Sequence, residues 1–145
     1  MTINAKSIQK AVSESLKPLV IEPPIDLVEW SEKYFYLSAE SSYVEQKWET
    51  IPWQRGIMLC LSNDDIRTVN WIKSARVGAT KIMLAFSLYT AHHKKRNQLF
   101  YQPSDGDAEE FSKTELDTAL RDVKAMRDIF PDLGKQNKNN TVDMK

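Results

Sequence analysis

A run of cationic, small and hydroxyl-bearing residues in the middle of the chain could bind a phosphate group. It reads KSARVGATK over residues 73–81. The N-terminus of a helix offers unpaired backbone N–H groups to an anion, a lysine adds positive charge, and a threonine hydroxyl can reach a bound metal. The alternative is an ordinary strand-to-helix turn in which Gly78 makes a close contact.

This run departs from the usual phosphate-loop pattern, G-x-x-x-x-G-K-[ST]. Lys73 stands at the position of the first glycine, and Ala79 stands at the position of the lysine that precedes Thr80. The spacing alone therefore leaves both interpretations open.

Hydrophobic periodicity and turn residues predict the elements around the loop. Extended segments at 66–72 and 97–102, with an apolar helix at 79–92 between them, predict a parallel βαβ unit. Earlier helices are expected at 2–16, from an Asp26 cap to about Leu37, and from Pro52 to a turn at 63–65. A helix capped by Ser104 follows, and a strand begins at 141–145. The predicted fold class is α/β, with a parallel βαβ core preceded by N-terminal helices.

The composition excludes few functions. The 145 residues suit one domain, and 20 basic residues balance 20 acidic ones, so net charge gives no support for nucleic-acid or membrane binding. No apolar run approaches the roughly 18–20 residues of a membrane span. The single cysteine, Cys60, cannot form an internal disulfide, and its apolar neighbours predict a buried helix residue rather than a reactive thiol. We expect a soluble cytoplasmic protein.

Several aromatic and polar side chains have two interpretations each. Gln54 is either a surface amide or a reader of an adenine edge. Tyr43, Trp48 and Trp53 could stack on a base, although covering the core is the simpler role. The pair at 92–93 is interpreted as favourable charge at a helix C-terminus rather than as a metal site, because further ligands at suitable spacing are absent. The acidic run at 105–110 is interpreted as favourable charge at a helix N-terminus.

The first 22 residues are predicted to be a helix followed by a linker. Ile8, Val12 and Leu16 follow one another at four-residue steps and form a narrow apolar stripe. Either this helix folds back onto its own domain, or it docks on another subunit.

Four motifs occur along the chain in a recognisable order. They are EWSEKY at 29–34, WETIPWQR at 48–55, KSARVG at 73–78 and QPSDGDAE at 102–109. Together they closely resemble the N-terminal ATPase region of the lambda-type large terminase subunit of tailed bacteriophages. The resemblance covers the chain from about residue 24 to residue 145, and it turns the loop interpretation toward phosphate binding.

The resemblance implies a partial P-loop NTPase domain of the RecA/helicase-like kind that uses ATP and Mg²⁺. Lys73 would replace the usual lysine, Thr80 would supply the hydroxyl on the Mg²⁺ side, Arg76 would contact the γ-phosphate, and Gln54 would read adenine. The full set of nucleotide-binding residues implied is Tyr43, Gln54, Lys73, Ser74, Ala75, Arg76, Val77, Gly78, Ala79, Thr80 and Lys81.

The same resemblance implies a role in an ATP-driven DNA-packaging motor of a phage or prophage, in the cytoplasm of the bacterial host. Residues 1–22 would dock the small terminase subunit, and residues 23–145 would form an ATPase domain that is incomplete at its C-terminus. Phage DNA and the procapsid portal would be further partners, and no membrane is involved.

The family's Mg²⁺-binding acidic strand, catalytic glutamate and nuclease domain would lie beyond Lys145, so this chain alone is expected to be inactive as an ATPase. The alternative is a non-enzymatic fragment that binds or titrates the small terminase subunit.

Overall fold

A computed structural model describes residues 5–16, 23–39 and 45–130. There are two π-helical turns: Thr90–Lys94 directly follows one helix, and Phe111–Leu116 joins two others. Two short strands pair antiparallel, with Tyr36 opposite Lys47. The elements in chain order are α1 (Ala5–Leu16), α2 (Leu27–Tyr34), β1 (Tyr36–Leu37), β2 (Gln46–Lys47), α3 (Pro52–Ser62), α4 (Ala79–Tyr89), α5 (Asp105–Glu110), α6 (Asp117–Asp122) and α7 (Lys124–Ile129).

Local sequence signals place the starts of three helices, and the structure confirms them. The Asp26 carboxylate accepts a hydrogen bond from the Glu29 N–H at 2.9 Å, and the Ser104 hydroxyl accepts one from the Asp107 N–H at 3.2 Å. Pro52 begins α3, where a missing N–H is not needed. The α2 helix ends earlier than predicted, at Tyr34, because the chain turns into β1.

The core lies where α2, α3 and α4 pack together with α6 and α7. The α4 helix contributes the most to it, as its apolar sequence predicted. The buried apolar residues are Leu27, Val28, Trp30, Phe35, Trp48, Met58, Ile82, Leu84, Ala85, Leu88, Tyr89, Ala119, Val123, Ala125 and Met126.

Trp30 is fully buried and joins α2 to the end of α4. Its indole Nε1 donates to His92 Nδ1 at 3.1 Å, and its ring lies 6.1 Å from that of Tyr89 in an edge-on arrangement. The backbone N–H of Ile25 donates to His93 Nε2 at 3.4 Å, and the Tyr89 hydroxyl donates to the Ile25 carbonyl at 2.9 Å. Both histidines therefore serve as hydrogen-bond acceptors within an aromatic cluster. They lie in the last turn of the helical run that α4 begins, and their interpretation as favourable charge at this helix end stays a prediction.

The predicted parallel βαβ unit does not form within the described residues. Segments 66–72 and 97–102 are irregular, and the one sheet is the antiparallel pair of β1 and β2. Alternating apolar residues favour extended backbone, but a strand exists only when a neighbour exchanges backbone hydrogen bonds with it. Neither segment has such a neighbour among residues 5–16, 23–39 and 45–130. Ile72 is fully exposed as a result, and Tyr101 is 87% exposed.

Other predictions are borne out in part. The helix predicted after Ser104 is divided among α5, a π-helical turn and α6, although its inner face does pack on the core. Ile8, Val12 and Leu16 on α1 are each about half exposed. Cys60 is only half-buried, because it lies at the edge of the α3 face that meets the core.

The strand predicted at 141–145 and most of the 17–25 linker lie outside the described residues. No helix in the described part of the chain has the length and apolar character needed to span a membrane.

An ionic clamp, formed by Asp64, Lys94 and Arg96, fixes the segment that follows α4 against the turn that follows α3. The Asp64 carboxylate accepts hydrogen bonds from Lys94 Nζ at 2.9 Å and from both terminal nitrogens of Arg96 at 2.8 and 3.1 Å. The Arg96 guanidinium, with help from the Lys94 ammonium, lowers the pKa of Asp64 to about 2.

The clamp should make stability depend on pH in the acid range. The pKa of an aspartate in an unfolded chain is about 3.9, so the stabilisation is fully present above that value and is lost as pH falls through about 2. We expect Asp64→Asn to melt at a lower temperature than the native chain at about pH 6, with the difference shrinking toward zero between about pH 4 and pH 2. Circular dichroism melts measure this difference.

Asp65→Asn is the matched control, because Asp65 forms no ion pair within the described residues. It should melt like the native chain at every pH. A destabilisation of Asp64→Asn that stays constant as the pH falls would contradict the role assigned to the clamp.

Candidate functional site

The loop between residue 72 and α4 combines a tight backbone with a helix start. Gly78 caps α4 in a left-handed conformation, with φ at 79°, and provides no side-chain cap. Arg76 is also left-handed, with φ at 60°, which is uncommon for a residue with a Cβ. No acidic residue lies in the first turn of α4, and no side chain caps its backbone N–H groups within the described residues.

Two cations of the loop have no acidic partner in the part of the chain that the structure describes. Lys73 and Arg76 are both exposed, and neither forms an ion pair within the part of the chain that the structure describes. Ser74 and Ala75 between them are exposed as well. The loop therefore presents positive charge and unsatisfied N–H donors together, which suits an anion.

Thr80 is exposed one residue into α4, and no hydrogen bond engages its hydroxyl among the described residues. Its role as a ligand of a metal ion bound together with phosphate stays a prediction. The described residues contain no group of three or more His, Cys, Asp or Glu side chains that could hold a metal without such help.

Lys81 is placed differently from the other cations. Its ammonium lies 2.5 Å from Glu115 Oε2, and its side chain is only 16% exposed. The pair links α4 to the π-helical turn Phe111–Leu116. In this structure Lys81 therefore serves a structural contact, and its contact with a nucleotide stays a prediction.

The environment of Gln54 differs most from the one that the sequence predicted. A lone glutamine suggested a surface amide, yet Gln54 is 3% exposed. Its Oε1 accepts from the Ile51 N–H at 3.2 Å, and its Nε2 donates to the Val77 carbonyl at 3.1 Å. The position of Gln54, three residues after Ile51 and two after Pro52, could have indicated the first contact, since glutamine there caps a helix. Nothing local could have indicated the second.

The two remaining tryptophan candidates, Trp48 and Trp53, lie in different environments. Trp48 is buried against Phe35, with ring centroids 5.6 Å apart, so its assignment to the core is confirmed. Trp53 is 65% exposed, so the same assignment is wrong for it. The α3 helix turns its Met58 side to the core, and Trp53 projects from the other side. Tyr43 lies outside the described residues.

A cleft of about 450 Å³ lies elsewhere, between α4 and the segment at 96–101. Two buried side-chain oxygens beside it, Thr90 Oγ1 and Gln98 Oε1, have no hydrogen-bond partner in the described structure. No loop residue lines this cleft, so it is separate from the candidate phosphate site.

Comparison with known proteins gives matches over most of the chain. Residues 41–145 match the family model described as "Phage terminase large subunit gpA, ATPase domain". The large terminase subunit of Enterobacteria phage P21 is 47% identical over 135 residues, which cover 93% of this chain and 21% of that protein. The large terminase subunit of Escherichia phage lambda is 43% identical over 134 residues, covering 92% and 21%. The chain thus spans about a fifth of the length of these relatives, and no solved structure matches it.

Proposed function

The chain belongs to the ATPase-domain family of phage terminase large subunits, and on this premise we propose that residues 73–80 bind the phosphate groups of ATP. The observation that carries the proposal is the loop itself. Among the described residues it holds two exposed cations without an acidic partner, and the helix N-terminus that follows has no side-chain cap. An anion placed there would gain charge-assisted hydrogen bonds and a favourable helix dipole.

Each part of the loop has a role in the proposal. Lys73 supplies the charge that the usual phosphate loop takes from the lysine before Thr80. The N–H groups of Ala79 and Thr80 donate to phosphate oxygens. Arg76 contacts the terminal phosphate from the outer side of the turn. The Thr80 hydroxyl would help to hold Mg²⁺, which would supply positive charge to neutralise part of the phosphate charge.

We propose the fold of this region and the role of the whole protein from the same family membership. We propose a P-loop NTPase fold for this region, supported by the family membership and by the succession of the loop and α4. The site would serve ATP-driven packaging of phage DNA in the bacterial host, with a small terminase subunit, DNA and the procapsid portal as partners of the whole protein. The exposed stripe of Ile8, Val12 and Leu16 on α1 supports a docking role for the N-terminal helix.

The test of phosphate binding is a calorimetric titration of the chain with Mg·ATP and, separately, with AMP. Both ligands carry the same base and ribose, so a difference between them reports contacts to the outer phosphates. We expect ATP to bind at least about tenfold more tightly than AMP, the factor that corresponds to one charge-assisted hydrogen bond. Equal affinity for the two ligands, or no binding of ATP, would overturn the proposal.

A further inference from the structure

Gln54 connects α3 to the phosphate loop through a single buried side chain. Its amide oxygen closes the first turn of α3 on the Ile51 N–H, and its amide nitrogen donates to the Val77 carbonyl. With only 3% of the residue exposed, both ends of the amide are held by backbone groups of this chain.

The contact with Val77 fixes a peptide plane inside the loop. In a trans peptide the C=O and the following N–H point in opposite directions. A Val77 carbonyl directed at Gln54 therefore directs the Gly78 N–H away from α3. This N–H belongs to the residue that caps α4, at the place where an anion would meet the helix.

The absence of a side chain at Gly78 leaves room for the contact between Gln54 and the Val77 carbonyl. A Cβ at this position would lie 2.8 Å from Gln54 Nε2, closer than side chains tolerate, and the φ of 79° already disfavours any residue but glycine. Both the limited space beside Gln54 and the left-handed backbone conformation therefore favour glycine at position 78.

We infer that Gln54 is a positioning residue for the phosphate loop, acting through the Val77 carbonyl, rather than a reader of the nucleotide base. Gln54 sets the direction of the Gly78 N–H and holds the loop against α3 before any ligand binds. This inference rests on the proposed phosphate binding for its effect on affinity, but the hold on the loop is a property of the chain alone.

Two substitutions isolate the contact. Gln54→Glu keeps an oxygen for the Ile51 N–H, loses the donor to Val77 and adds charge, while Gln54→Met loses both hydrogen bonds without adding charge. An effect shared by both variants belongs to the lost donor. Gln46→Glu is the matched control for charge, since Gln46 is exposed on β2.

The first readout is affinity for three ligands: ATP, GTP and inorganic tripolyphosphate. A positioning role predicts that both Gln54 variants bind all three more weakly by a similar factor, roughly three- to tenfold. A base-reading role predicts weaker binding of ATP with unchanged binding of tripolyphosphate, and that result would overturn the inference.

The second readout needs no ligand. Trypsin cleaves after lysine and arginine, and the loop exposes Lys73 and Arg76. We expect cleavage at these two sites to be roughly three- to tenfold faster in both Gln54 variants than in the native chain, with cleavage after Lys124 as internal reference. Unchanged cleavage would overturn the inference. If the native chain binds none of the three ligands, the proposed function fails, and the trypsin result still decides whether Gln54 holds the loop.

Discussion

Replacing Trp30 by alanine is expected to lower the free energy of unfolding by about 3–5 kcal/mol, the cost of removing a large aromatic side chain from a packed core. Trp30 is fully buried and contacts the rings of Tyr34, Tyr89 and His92, with centroids 5.7 to 6.1 Å away. The substitution also leaves His92 Nδ1 without the indole donor. A domain of this size is stable by only about 5–15 kcal/mol, so the substitution would remove a large share of the free energy of unfolding. This is the largest effect that we expect from one substitution.

Urea denaturation followed by tryptophan fluorescence or circular dichroism measures the loss. Trp53→Ala makes the same chemical change at a site that is 65% exposed, and it should alter the free energy of unfolding by less than about 1 kcal/mol. Trp30→Phe should fall between the two, since it keeps an aromatic ring but not the N–H. Similar losses for Trp30→Ala and Trp53→Ala would contradict the placement of Trp30 at the centre of the core.

Local signals in the sequence were enough to locate the starts of three helices. Asp26 and Ser104 cap helices because their side-chain oxygens reach an N–H three residues later, a distance that short-range geometry fixes. Pro52 starts α3 for an equally local reason. Such features depend on neighbours in sequence and so can be recognised without a fold.

The parallel sheet could not be established in the same way. Segments 66–72 and 97–102 have strand-like composition, but pairing depends on groups distant in sequence, and the described residues supply no partner strand. The sequence did not predict the short antiparallel pair of β1 and β2. Longer strands are recognised by alternating apolar and polar residues. These strands have only two residues each, Tyr36 and Leu37 in β1 and Gln46 and Lys47 in β2, and they lack that alternation.

The candidate site shows the same division. The run from Lys73 to Thr80 could be picked out as a candidate phosphate site from its residue types, but its spacing left an ordinary strand-to-helix turn equally open, and only the family resemblance favoured phosphate binding. Gln54 lies 23 residues before Val77, and only the packing of α3 beside the loop brings its amide to that carbonyl. The pairing of Lys81 with Glu115, across 34 residues, is equally a product of tertiary structure.

The central claim is that Lys73 and the loop that follows it bind the phosphates of ATP. The most direct test compares Mg·ATP binding by the native chain and by Lys73→Ala. Lys73 is exposed and forms no ion pair within the described residues, so the substitution should leave the fold intact. Lys124→Ala removes an equal charge from an exposed position on α7 and is the matched control.

Calorimetric titration of the three proteins with Mg·ATP, alongside melting curves to verify folding, gives the answer. We predict that Lys73→Ala binds ATP about tenfold more weakly than the native chain, the loss expected for one charge-assisted hydrogen bond to phosphate, and that Lys73→Arg recovers part of this loss. Lys124→Ala should bind within about threefold of the native chain, because a distant surface charge is screened by salt. ATP binding by folded Lys73→Ala that equals that of the native chain would contradict the claim.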